Sequence, residues 1–225
     1  MQNKELILEK EETKSVSLKY LYFVFKRTID VLISFIGIIF LIPIAIVVKI
    51  VLIFNGDFHS IFFKQKRLGK NGKEIYVYKF RTMVLNAEEV LARWLEENEE
   101  IREEYYRNRK LENDPRITKI GKILRLTSLD EFPQFINIFK GDMSLIGPRP
   151  IVPDEIENYN SEQAKKFLSM RPGLSGYWAA NGRSTTTYKE RVKMELYYID
   201  HCSLYLDIKI VFLTIVSVIK RTGAK

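Results

Sequence analysis

The strongest constraint in this chain is an apolar run from Val31 to Phe54, preceded by LKYLYFVFKRTID. A bilayer crossing needs roughly 20 apolar residues, and this run is about that long. It is too long for the core of a cleaved signal peptide, and no small-residue cleavage pattern follows it. Two features complicate a simple span. Pro43 sits at the centre, where it removes a backbone donor and crowds the preceding turn, and Lys49 lies inside the run. Basic residues flank both ends: Lys19, Lys26 and Arg27 before; Lys64, Lys66, Arg67, Lys70 and Lys73 after. Positive flanks mark the cytoplasmic side, so both ends favour the same side. The pattern predicts a re-entrant helical hairpin over 18–56 that bends at Pro43; a single span with a local kink is the alternative. Residues 1–17, polar and without periodicity, read as a disordered tail, and 57–225 as one domain on the cytoplasmic face.

The formal charge of +8 over 225 residues calls for an anionic partner: nucleic acid, lipid head groups or phosphorylated small molecules. No DNA-binding motif is evident, so nucleic acid rests on electrostatics alone. Cys202 is the single cysteine, which excludes an intrachain disulfide, and one Cys with two His excludes a zinc cluster of the usual kind.

After the apolar run, IFFKQKR and EIYVYKF flank Gly69-Lys70-Asn71-Gly72 and read as a β-hairpin. Strand alternation sends Lys79 and Arg81 the same way, toward an anion or toward solvent. Asn86 to about Lys110 reads as one charged helix, opened by an Asn86/Glu89 capping box. Arg116, Lys119, Lys122 and Arg125 follow as a basic stripe. Within KRTID, Asp30 is spaced to pair with Lys26 or Arg27 on the same helix.

The densest chemistry lies between Arg125 and Pro150. Leu129, Phe132, Phe135, Ile136 and Phe139 form a helical apolar face, and Pro133 must sit near that helix's start. Asp130 and Glu131 therefore fall in the first turn or the cap. Ser128 and Glu131 match a capping box, and acids at a helix N-terminus are ordinary dipole complements. The functional alternative is a carboxylate pair that supplies a nucleophile and a metal or proton site. Arg125 precedes the pair. Arg149, clamped between Pro148 and Pro150, follows it, and a fixed guanidinium suits bidentate phosphate binding. Carboxylates, arginines and room for Mg²⁺ beside a membrane segment suggest chemistry on a lipid-linked phosphate.

Toward the C-terminus, 153–170 reads as a helix, and Gly176-Tyr177-Trp178 with Asn181-Gly182-Arg183 as an aromatic and basic loop. Residues 187–200 read as another helix. The apolar stretch 205–219, interrupted by Asp207 and Lys209, is too short to span comfortably and reads as an interfacial helix, with Lys220 and Arg221 meeting anionic lipid.

From Lys26 onward the sequence resembles the catalytic core of the monotopic polyprenyl-phosphate phosphoglycosyl transferases, the bacterial sugar transferase family. The resemblance rests on KRTID at 26–30, the proline-broken apolar helix, QKRLG at 65–69, YKFRTM at 78–83, the block from Asp114 to Pro150, RPGLSGYW at 171–178 and NGR at 181–183. It implies an α+β, mostly helical monotopic protein of the bacterial inner membrane facing the cytoplasm, in a minimal form without the multi-span N-terminal region of larger members. It also implies transfer of a sugar-1-phosphate from a UDP-sugar to undecaprenyl phosphate, with UMP released and a phosphosugar held covalently on Asp130. By matching position, Glu131 assists as metal ligand or proton acceptor, the dyad holds Mg²⁺, and Arg125, Arg149 and Arg183 hold phosphates, with Lys79 and Arg81 as weaker candidates. NGRSTTTYKERV and KRTGAK resemble members that handle hexose-1-phosphates. Inner-membrane lipids, downstream glycosyltransferases and a second copy of the chain are the further partners considered, and nucleic acid is not expected. One departure is Ile42, where relatives often carry a serine whose hydroxyl satisfies a carbonyl freed by the proline. A nucleotide-sugar hydrolase and a non-enzymatic anion-binding domain are the competing readings.

Overall fold

The computed structural model describes residues 18–106, 111, 113–182, 186–218 and 220, with backbone alone at 2–17, 107–108 and 219. The expected disordered tail at 1–17 lies outside the fully described residues.

Helix α1 (Gln2–Phe54) contains Pro43. From Leu18 to Phe54 it is long and apolar enough to cross a membrane. Lys26, Asp30, Ser34, Gly37, Leu41, Val48 and Leu52 are buried and recur at helical spacing, so they form one stripe. The stripe rests on the same domain on both sides of Pro43. Gly37 takes the Phe135 ring directly on its backbone: a Cβ there would sit 2.5 Å from that ring. Beyond the proline, Leu41, Val48 and Leu52 pack with Phe80 and Leu124. The opposite face, including Ile36, Phe40, Ile46 and Val47, is exposed. Lys49, the charge inside the apolar run, donates to the carbonyls of Phe58 and His59 (both 2.9 Å), closing the loop that follows the helix.

The hairpin forms as expected. Strands β1 (Phe62–Leu68) and β2 (Glu74–Phe80) pair antiparallel, with Phe62 opposite Phe80 and Leu68 opposite Glu74. The charged segment after it is two helices, α2 (Ala87–Glu97) and α3 (Glu99–Asn108), because Asn98 is extended (φ −136°, ψ 109°). Asn86 makes no side-chain cap to α2, so the expected capping box is absent.

Helix α4 (Lys119–Leu126) is capped by Thr118, whose Oγ1 accepts from Gly121 N at 2.9 Å. A 3₁₀ turn, Leu129–Glu131, then leads to α5 (Gln134–Lys140). Asn137, fully buried, pins α5 to β2: its Oδ1 accepts from Tyr78 N (3.0 Å) and its Nδ2 donates to the Tyr76 carbonyl (2.7 Å). Ile138 and Met143 pack beneath with Ile75 and Val77.

Strand β3 (Ser144–Ile146) pairs in parallel with β4 (Gly173–Ser175), a short sheet that the sequence pattern did not announce. Between them lie a 3₁₀ turn, Pro153–Asn158, and α6 (Ser161–Phe167), capped by Asn160; the single helix expected over 153–170 is thus divided. Three helices follow among the described residues: α7 (Tyr177–Asn181), α8 (Tyr188–His201) and α9 (Leu204–Ile219). β3, α6, α8 and α9 share a core that includes Ile146, Phe167, Tyr198 and Ile210.

KRTID has long-range partners rather than the expected pairing within one helix. Lys26 bonds Asp207 of α9 (2.7 Å), and Asp207 also accepts from Tyr198 (2.6 Å) and Tyr22 (2.9 Å). Arg27 donates to the carbonyls of Ile138 and Phe139 at the end of α5 (2.7 and 2.9 Å), and Asp30 accepts from Leu145 N (2.9 Å). These contacts lock α1 to the rest of the chain. They also account for Asp207 within the mostly apolar α9, whose outer residues Ile208, Phe212 and Ile215 are exposed.

Candidate active site

Asp130 and Glu131 occupy the 3₁₀ turn ahead of α5, with Pro133 as the residue before that helix begins. Ser128 stands at the turn's entry in the left-handed region (φ 57°) and its side chain makes no cap. The Ser128/Glu131 capping box therefore does not form, although both carboxylates do fall in the first turn of a helical segment. Glu131 Oε1 instead accepts from Lys79 Nζ at 2.7 Å. That contact follows from the register imposed by Asn137, which sets β2 beside the turn.

The two carboxyls differ. Burial pushes Asp130 above the ordinary carboxylate range, the Glu131 charge adds to it, and Lys79 and Arg125 oppose it only in part. Burial would also raise Glu131, but the Lys79 charge and hydrogen bond prevail, helped by Arg149 and Gln134, and hold it below its usual value. One member of the pair is thus kept ionised while its neighbour is made more basic, the division of labour that a nucleophile beside a charged helper requires.

Three cationic groups surround the pair from three different elements. Lys79 comes from β2. Arg125 comes from the last turn of α4, with Nε donating to Thr82 Oγ1 at 3.0 Å. Its position depends on Gly121, where a Cβ would lie 2.0 Å from the Thr82 carbonyl oxygen, so α4 lies directly on the strand exit. Arg149 comes from the Gly-Pro-Arg-Pro loop after β3. That loop is held by Gly147 N donating to Ser175 O (2.9 Å) and Gly173 N donating to Pro148 O (2.8 Å). Arg149 N donates to Glu195 Oε1 (3.1 Å), and its guanidinium lies 5.6 Å from the centre of the Trp178 ring.

Arg81 is directed elsewhere: it pairs with Asp57 (2.8 Å) and donates to the Ser60 carbonyl (2.8 Å), tying down the loop after α1. Lys79 and Arg81, which alternation sends the same way, thus take different carboxylates, Glu131 and Asp57. Arg183 lies outside the described residues. Sequence reasoning missed Glu195, 1% exposed on α8, whose carboxyl burial pushes up to about 7 against the Arg149 amide and the Arg191 and Arg149 charges. Its signal was available: an acid at the helical spacing of the buried Val192, Tyr198 and Ile199. It also missed Arg191, which lies 5.0 Å from the Trp178 ring centre on α8 and pairs with Glu155 (3.2 Å).

A half-buried carboxylate pair with cations from three elements suits phosphate chemistry. The model of the family described as bacterial sugar transferase matches residues 21–221. This chain belongs to the bacterial sugar transferase family. The exopolysaccharide production protein ExoY of Sinorhizobium fredii is 43% identical over 199 residues, covering 88% of this chain and 87% of that protein. An uncharacterized sugar transferase of Haemophilus influenzae is 42% identical over 201 residues, 89% of this chain and 42% of that one. The undecaprenyl-phosphate galactose phosphotransferase of Salmonella typhimurium is 41% identical over 199 residues, 88% and 41% respectively. The sugar transferase chain thus spans less than half the length of the Haemophilus and Salmonella relatives.

The dyad fits Mg²⁺ in its donor chemistry. Mg²⁺ is commonly held by one or two carboxylates with substrate phosphates and water completing the shell. Asp130 and Glu131 supply two such groups, the Asp130 charge is only partly compensated, and among the described residues no cluster of three or more Asp, Glu, His or Cys offers an all-protein cage.

Proposed function

We propose that this sugar transferase moves a hexose-1-phosphate from a UDP-sugar to undecaprenyl phosphate through a covalent intermediate on Asp130. The observation that carries the proposal is the dyad itself: a carboxylate made more basic by burial, beside one held ionised by Lys79, with Arg125 and Arg149 charges acting on the pair. In the first step an Asp130 carboxylate oxygen attacks the sugar-bearing phosphorus. The bond from that phosphorus to the bridging oxygen breaks, and UMP leaves with the electron pair. In the second step a phosphate oxygen of undecaprenyl phosphate attacks the same phosphorus and Asp130 departs as carboxylate. Both steps move negative charge across one phosphorus, which preorganised cations stabilise in a partly desolvated site. Arg125 and Arg149 bind the phosphates and orient them for in-line attack, and Lys79 keeps Glu131 charged. Asp130 and Glu131 are the residues that would hold Mg²⁺, which when bound neutralises phosphate charge.

The membrane arrangement follows from α1. Its buried stripe stays on one domain across Pro43, whereas a straight span would carry one half away from it. The exposed apolar faces of α1 and α9 then enter the bilayer from the cytoplasmic side, and the dyad faces a lipid acceptor at the interface. Labelling that reached Ser15 and Ser60 from opposite sides of the membrane would refute this topology.

The donor is taken as a UDP-hexose, with UDP-galactose tested first because the Salmonella relative is named for galactose. Purified protein in nanodiscs is expected to release UMP from one UDP-sugar in the presence of undecaprenyl phosphate, and Asp130→Asn is expected not to. UMP release that yields free sugar phosphate without the lipid would mean a hydrolase. No release with any UDP-sugar from folded protein would overturn the enzyme reading.

A further inference from the structure

A cavity of about 220 Å³ opens away from the dyad, at the far end of α5. Helix α5 separates the two by about 10 Å at 1.5 Å per residue. The cavity lies between the first described turns of α1, the β1–β2 turn and the segment before β4. Its walls carry Lys19, Lys26, Arg27, Lys70 and Arg171 against one carboxylate, Asp30.

Most of that charge is uncompensated. Lys26 has Asp207 as its partner, and Asp30 accepts from Leu145 N. Arg27 and Arg171 converge on one turn and bond only carbonyls there: Arg27 to Ile138 and Phe139, Arg171 Nε to Gly141 O at 2.8 Å. Carbonyls orient a guanidinium without neutralising it, and a helix C-terminus supplies only about half a negative charge against two full positive ones. The two guanidiniums lie close enough to repel. Asp142, in the same turn, leans to Lys140 instead (3.7 Å). Lys19 and Lys70 have no ion-pair partner among the described residues.

Gly141, at φ +87°, lets Arg27 close on the turn: a Cβ there would meet Arg27 Nη2 at 3.3 Å. The Ser144 hydroxyl, 2% exposed, lines the wall beside Asp30 and helps to stabilise its charge. Five cationic side chains held together by the backbone, with Asp30 as the one carboxylate in the wall to balance them, are built for an anion. Phe23, Met170 and Ile199 give the cavity an apolar side. Exposed Tyr20, Leu21 and Val24 continue that surface along α1, where the apolar run begins.

We propose that this cavity is a second phosphate site, distinct from the dyad, that takes the phosphodiester of an anionic glycerophospholipid. The guanidiniums of Arg27 and Arg171 fork the phosphate, Lys19 and Lys70 close over it, and the acyl chains follow Phe23 onto the exposed face of α1. One lipid fixed here ties α1, the β1–β2 turn and the end of α5 together at the membrane surface. The inference does not depend on Asp130 being the nucleophile.

Native mass spectrometry of the full-length protein, exchanged into phosphatidylglycerol or phosphatidylcholine, tests it. One retained phosphatidylglycerol per chain is expected, favoured over phosphatidylcholine, with retention about tenfold weaker in the double variant Lys19→Gln/Lys70→Gln. Thermal unfolding shows whether that variant is folded, and Arg171→Gln provides a second route to the same loss. Equal retention in wild type and both variants, or no preference over phosphatidylcholine, would overturn the site. Inorganic phosphate that stabilises the wild type but not the variants, without any lipid retained, would overturn the lipid and leave a soluble phosphate as the occupant.

Discussion

Replacing Lys79 by methionine keeps most of the side chain's volume and removes the cation that holds Glu131 ionised. The Lys79–Glu131 pair is 2.7 Å long and its side chains are 28% and 39% exposed. At that exposure solvent screens much of the attraction, so the loss in stability is about 1 kcal/mol, the upper end for accessible pairs. For a domain of this size that lowers Tm by about 2–4 °C. The sign of the pH dependence follows from Glu131 being held below its usual value. Its contribution to stability is present above the ordinary glutamate pKa and is lost as pH falls through the depressed one. Lys79→Met removes that contribution, so the variant is expected to be less stable than wild type at neutral pH and equally stable once Glu131 is protonated in both. The same change exposes the proposed chemistry. Without Lys79, burial is opposed only by Arg149 and Gln134, the Glu131 carboxyl rises, and the acid limb of the UMP-release profile is expected to move to higher pH. A transition-state loss of about 1.4 kcal/mol corresponds to tenfold in kcat, and Lys79→Arg is expected to restore the limb. An activity loss uniform in pH, with the acid limb unmoved, would refute the coupling between Lys79 and Glu131.

Three further outcomes follow. Because burial and Glu131 raise Asp130, its ionisation costs stability as pH rises through that raised value; Asp130→Asn is therefore expected to abolish UMP release while stabilising the protein at neutral pH by about 1 kcal/mol, and a fall in Tm would contradict it. Glu195 sits at about 7 against an ordinary 4.5, so wild type loses stability between those two values as pH rises, and Glu195→Gln is expected to flatten that part of a Tm-versus-pH curve; an unchanged curve would contradict the assignment. Gly121→Ala puts a Cβ 2.0 Å from the Thr82 carbonyl, which forces α4 and Arg125 away at a cost of about 1–3 kcal/mol; differential scanning calorimetry with a UMP assay should show both a lower Tm and a lower kcat, and a wild-type kcat would mean Arg125 does not depend on that packing.

The hairpin, α8 and α9 were legible because each rests on local periodicity and turn chemistry. So were the dyad, Arg125 and Arg149, whose residue types cluster within one stretch of sequence. The short strands β3 and β4 were not, since three residues carry too little periodicity and their pairing is set by glycines that let two backbones meet. The break at Asn98 and the missing Ser128 cap depend on backbone angles that no spacing rule encodes.

Composition and pattern alone settled that this chain carries a membrane-length apolar helix, a basic surface and a carboxylate pair bracketed by arginines. They could not say which partner each charge takes. Lys79 and Arg81 are two residues apart, yet one meets Glu131 and the other Asp57. Lys26 and Asp30 share a helix face but bond α9 and the start of β3. An ion pair is decided by distances of a few ångströms between elements far apart in the chain. Those distances come from close packing: Asn137 docked on β2, Gly121 against Thr82, and Phe135 seated on Gly37.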